Sequence, residues 1–131
     1  MIAMRDSTVT VLDEMDHEFI RLLKCAGAPR CIADVISYLK NVDEASSQEI
    51  ERGTELSYND VVQAMQALRE LDWIEEREDK GAGVGRHSKI YALKIPLEEI
   101  VRHFEERKVR ESTQAREAIQ RLKELASSIN P

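Results

Sequence analysis

A chain of 131 residues is long enough for one compact domain with its own core and one long accessory helix beyond it. With 42% hydrophobic and 34% charged residues, no apolar run of membrane-spanning length and no leader-like segment in Met1 to Val11, the composition excludes a disordered tail and a membrane protein, and points to the cytoplasm. The net charge of −6 argues against a uniformly basic surface, but a nucleic-acid face needs only a local patch, because the few cations touching phosphates do the neutralising.

Leu12, Met15, Phe19, Leu22 and Leu23 recur at helical spacing, so a first amphipathic helix is predicted over about 8–26, ending at the Gly27-Ala28-Pro29 turn. Ile32, Val35, Ile36 and Leu39 give a second helix that ends near 41–43. Ser46 and Glu49 have capping-box spacing and start a short helix, which Gly53 is expected to stop after Arg52, with 53–56 a tight turn. Ser57 and Asp60 form a second capping signal, followed by one apolar stripe through Val61, Ala64, Met65, Leu68 and Leu71.

Trp73 to about Glu78 and Lys89 to Ile95 read as two strands of a hairpin, with a glycine-rich tip at 81–85. Pro96 ends the second strand and starts a last helix on Leu97, Ile100, Val101 and Phe104, continued by Ala115, Ala118, Ile119, Leu122, Leu125 and Ile129. Between Arg107 and Gln114 the only apolar residue is Val109, so a bend or break is allowed there. The expected fold is mainly α with a small β-hairpin.

The stretch from Gln48-Glu49-Ile50 through Leu56-Ser57-Tyr58-Asn59-Asp60-Val61 to Leu68, followed by Glu70-Leu71-Asp72-Trp73-Ile74-Glu75, resembles winged helix-turn-helix regulators of the archaeal TrmB and ArsR-like type. The resemblance covers roughly residues 30–96. It implies a second helix of the pair lying in the DNA major groove, with the hairpin, or wing, beside it. The domain organisation expected is a winged helix-turn-helix DNA-binding domain over 1–96, with an added N-terminal helix, and a long C-terminal dimerisation helix over 97–131.

With the Val61 to Leu71 stripe turned inward, helical geometry turns Tyr58, Asn59, Val62, Gln63 and Gln66 outward. Asn and Gln amides can pair two-pronged with adenine, which makes these five the candidate base contacts. Ser57 at the helix N-cap, Arg69, and Lys80, Arg86, His87, Ser88 and Lys89 of the wing are the candidate backbone contacts, the wing being a concentration of positive charge in an acidic chain. The alternating glycines are followed by a strand and not a helix, which argues against a dinucleotide loop.

The last helix holds seven acids and seven bases between Leu97 and Ala126. Pairs such as Glu98 with Arg102, Glu106 with Arg110 and Glu117 with Arg121 support it at i, i+4. Its apolar residues Leu97, Ile100, Val101, Phe104, Ile119, Leu122 and Leu125 are the expected dimerisation surface, because a rod of some 45 Å outreaches so small a domain. Cys25 and Cys31 are too few for a disulfide framework. They bracket the Gly27 turn, with His17 two helical turns before Cys25, but lack a close third ligand and read as small core thiols, so neither metal nor cofactor is expected.

The reading from sequence is a sequence-specific DNA-binding transcriptional regulator acting as a homodimer on double-stranded DNA, with no membrane partner and an effector left unspecified. The competing reading is a winged-helix protein-interaction module, favoured by net acidity and a base-poor helix face. No nucleophile, base and oxyanion-donor set can be assembled, so catalysis is not expected.

Overall fold

Helix formation begins at Asp13, whose carboxylate accepts from the Asp16 amide while the Asp16 carboxylate accepts from the Asp13 amide, each at 2.9 Å. This reciprocal cap starts α1 (Glu14–Cys25), so the helix is shorter at its N-terminus than the apolar spacing suggests. The structure, a computed structural model, describes residues 9–79 and 88–129.

The inward face of α1 also differs from the predicted one. Asp16, Ile20 and Leu23 are buried, whereas Met15 and Leu22 are exposed. The helix is turned this way because Asp16 takes the ammonium of Lys40, a hydrogen bond from the Asn41 amide at 2.9 Å, and, through its carbonyl, one from the Ser37 hydroxyl at 3.4 Å. Burial alone would raise the Asp16 pKa. The hydrogen bonds from Asn41, Lys40 and the Asp13 amide, with the Lys40 charge, outweigh it and hold the carboxyl well below the usual carboxylate range.

The second helix, α2 (Arg30–Leu39), runs through the centre of the domain, and all its residues from Ile32 to Leu39 are buried. A helix covered on every side must be packed by several elements, and α1, α3, α4 and β3 all meet it. After a short turn, β1 (Ala45–Ser46) leads directly into α3 (Ser47–Thr54), capped by the predicted Ser46 and Glu49 box.

This third helix passes through Gly53 and does not stop at Arg52 as expected. The glycine serves a close approach: a Cβ at Gly53 would lie 2.1 Å from Cε2 of Tyr38, whose ring is fully buried. The turn that follows is made by Glu55, in the left-handed region at φ 61°.

From its N-cap Ser57, whose hydroxyl accepts from the Asp60 amide at 3.2 Å, α4 (Tyr58–Glu70) buries Val61, Ala64, Met65 and Leu68. The strands β2 (Ile74–Asp79) and β3 (Ser88–Leu93) pair antiparallel, with Ile74 opposite Leu93 and Asp79 opposite Ser88. The expected hairpin is in fact part of a three-stranded sheet of order β1-β3-β2, because Ala45 and Ser46 pair with Tyr91 and Ile90. This is the winged helix-turn-helix arrangement: α3 and α4 are the helix pair, and the β2-β3 hairpin is the wing.

The final helix, α5 (Leu97–Ile129), is continuous through the stretch where a bend was allowed. Ion pairs within it include Arg107 with Glu111 and Arg121 with Glu124, each at 3.1 Å. Its first two turns close the core, with Ile100 and Phe104 buried and the Trp73 ring edge-on to Phe104 at 6.0 Å and to His103 at 5.0 Å. Ile100 and Phe104 were expected on the dimerisation surface; they are instead covered by the chain's own domain and leave no surface for a partner. From Glu105 to Ser128 every residue is exposed.

Candidate nucleic-acid interface

The buried stripe of α4 fixes which way the rest of the helix points. With Val61, Ala64, Met65 and Leu68 in the core, Tyr58, Asn59, Val62, Gln63 and Gln66 all lie exposed along the opposite face, as helical spacing requires. Tyr58 is 63% exposed and Val62 44%. Ser57 at the N-cap is also exposed, although its hydroxyl is engaged by the Asp60 amide. A polar face on the N-terminal half of the second helix of a helix pair is the geometry that presents amides to base edges.

Between this face and the sheet lies an open cleft of about 510 Å³, lined by Ser47, Gln48, Tyr58, Gln66, Arg69, Lys89 and Tyr91 among others. Ser47 and Gln48 reach it because α3 starts at the edge of β1, beside β3. Lys89 reaches it from β3 and Arg69 from the last turn of α4.

The two cations in this cleft are both engaged. Arg69 Nε donates to Glu76 Oε1 at 2.5 Å, and Lys89 Nζ lies 3.4 Å from the other oxygen, Oε2. Burial raises the Glu76 pKa, but the hydrogen bond and charge of Arg69, with the charge of Lys89, more than offset it and keep the carboxyl below its usual range. Burial, with the Glu76 charge adding to it, pushes the Tyr91 phenol upward. Elsewhere on the described sheet, Arg77 Nη2 donates to both Glu44 carboxylate oxygens at 2.7 Å, and Lys94 pairs with Asp72 at 2.5 Å.

The described strands of the wing are net acidic, with Glu75, Glu76, Glu78 and Asp79 against Arg77 and Lys89, and are not a bare positive patch. The other wing residues expected to touch the backbone, Lys80, Arg86 and His87, together with the Ser88 side chain, lie outside the described residues. Sequence reasoning missed Glu76. The signal for it was the register of the hairpin, which sets Glu76 opposite Tyr91 and diagonal to Lys89.

The far helix presents a second surface. Ile119, Leu122 and Leu125 are exposed, as is Val101, while Leu97 is partly buried. Of the two thiols expected in the core, Cys25 is exposed at the end of α1, whereas Cys31 is half-buried and packs against the core. Among the described residues no group of three or more His, Cys, Asp or Glu is placed to hold a metal ion, and no helix is long and apolar enough to cross a membrane.

No family model and no curated protein matches the chain. Among solved structures it is similar to a possible transcriptional regulator from Methanosarcina mazei Go1, with a TM-score of 0.52 and 19% sequence identity over 79% of this chain and 85% of that one. At that identity the likeness bears on the fold, and it agrees with a helix-rich winged-helix domain carrying a long C-terminal helix.

Proposed function

We propose that this protein is a cytoplasmic, sequence-specific DNA-binding transcriptional regulator of the TrmB and ArsR-like type. The observation that carries the reading is the exposed polar face of α4, backed by a fully buried apolar stripe and placed second in a helix-turn-helix pair. Asn59 and Gln63 are the principal base readers, each good two-pronged contact contributing about 1–3 kcal/mol of discrimination. The name of the similar solved structure, a possible transcriptional regulator, agrees with a regulatory role.

Residues 97–131 make the dimerisation segment in this proposal. Beyond Phe104 the helix carries Ile119, Leu122 and Leu125, all exposed among the described residues, and a second copy of the same seam is the simplest cover. Two recognition helices about 34 Å apart would then read a near-palindromic site. The test is fluorescence-anisotropy titration of labelled random duplex at low and moderate salt. Salt-sensitive binding that Asn59→Ala with Gln63→Ala leaves intact on random duplex, but reduces to that same level on a duplex selected from a random pool, supports the reading. No binding at low salt refutes it and favours a protein-interaction module.

A further inference from the structure

We infer that Glu76 is an internal stand-in for a DNA phosphate, and that the cleft between α4 and the wing is a phosphodiester site whose resident anion must be displaced when DNA binds. The inference rests on the DNA-binding reading and deepens it. Two elements converge on the carboxylate that β2 supplies: Arg69 from α4 takes one oxygen at 2.5 Å, and Lys89 from β3 approaches the other at 3.4 Å. Two cations around one two-oxygen anion is how a phosphodiester is gripped.

The arrangement is open enough for exchange. Arg69 and Lys89 are about half exposed and line a 510 Å³ cleft that also holds Gln66 and Tyr58 of the base-reading face, while the Glu76 side chain they share is 23% exposed. A pair at such a surface contributes little to stability and can trade partners. The cations therefore stay ordered and share one countercharge without DNA, and they gain less from a phosphate alone. Glu76 thus lowers affinity for arbitrary duplex and leaves discrimination to the amides of α4.

The test compares wild type, Glu76→Gln and Glu75→Gln on the same labelled random duplex across a salt series. Glu75→Gln makes the same charge change on the same strand, but alternation turns residue 75 to the opposite face of the sheet from residue 76. The inference expects Glu76→Gln to bind roughly fivefold or more tightly, with a log K against log salt slope steeper by about one, since freed cations now release counterions from DNA. Glu75→Gln should change binding much less, and Arg69→Gln in the Glu76→Gln background should cancel the gain. Glu76→Thr serves as a second, strand-compatible variant, and circular dichroism checks the fold of each.

Unchanged or weaker binding by both Glu76 variants overturns the inference, leaving Glu76 a brace for Arg69. Equal gains from the Glu75 and Glu76 substitutions also overturn it, because the effect is then one of net charge. If wild type and all variants fail to bind, the DNA reading itself falls and the inference with it.

Discussion

Replacing Gly53 by alanine sets two opposed effects against each other. Gly53 lies within α3 and is not at positive φ, so helix propensity alone would favour alanine by about 1 kcal/mol. The new Cβ, however, would sit 2.1 Å from Cε2 and 2.6 Å from Cδ2 of Tyr38. Carbon atoms in contact want about 3.5 Å, so ring and helix must separate by more than ~1 Å. The Tyr38 ring is 1% exposed and its hydroxyl accepts from the Thr10 amide at 3.3 Å, so it cannot swing into solvent.

Overpacking of this kind costs about 1–3 kcal/mol, and a clash this close belongs at the upper end. The net expectation for Gly53→Ala is a loss of about 2 kcal/mol, which at about 2 kcal/mol/M lowers the urea midpoint by about 1 M. Circular dichroism at 222 nm during urea unfolding measures it. In a Tyr38→Leu background the same substitution should become neutral or stabilising, because the ring is gone. A Gly53→Ala protein at least as stable as wild type would refute the packing argument and make Gly53 an ordinary helix glycine.

The buried Asp16 is expected to couple stability to pH. Its folded pKa is depressed below the ordinary 3.8, so its stabilisation is complete above that value and is lost as pH falls through the folded pKa. Asp16→Asn leaves Lys40 without its charge partner and should cost about 3 kcal/mol at neutral pH, with a flatter loss of stability on acidification; an unchanged urea midpoint would show that the Lys40 contact contributes nothing. Ile119→Glu with Leu122→Glu should convert the proposed dimer to a monomer in sedimentation velocity without lowering the melting temperature of the domain, since both side chains are exposed in the single chain. A wild-type protein that sediments as a monomer would exclude the α5 seam as an interface.

Features carried by a repeated pattern were legible in the sequence. The stripe of α4 from Val61 to Leu68, its Ser57 cap and the Ser46 and Glu49 box needed only helical periodicity and hydrogen-bond spacing and appear as read, whereas Leu71, expected to end the stripe, is the exposed C-cap of the helix. What was not legible depended on contacts between distant residues. The two-residue β1 is too short to show alternation and exists because Tyr91 and Ile90 pair with it. The rotation of α1 follows from Asp16 being buried against Lys40 and Asn41, which a hydrophobic pattern scores as an outward residue. Gly53 looked like a helix stop because its reason for being glycine, the Tyr38 ring, lies 15 positions away.

The candidate site divides in the same way. The outward face of α4 follows from its own spacing, whereas the fate of its cations depends on the hairpin register that brings Glu76 between Arg69 and Lys89. Ile100 and Phe104 share a stripe with Leu122, and only the position of Trp73 shows where the domain core ends and the free seam begins.

Reading of duplex DNA by α4 is open to direct observation by backbone amide NMR during titration with a selected duplex. The largest shifts are expected at Ser57 to Gln66, followed by Arg69, Glu76 and Lys89, with the core of α2 unmoved. Shifts confined to α1 and α5, or none at saturating DNA and low salt, would contradict it.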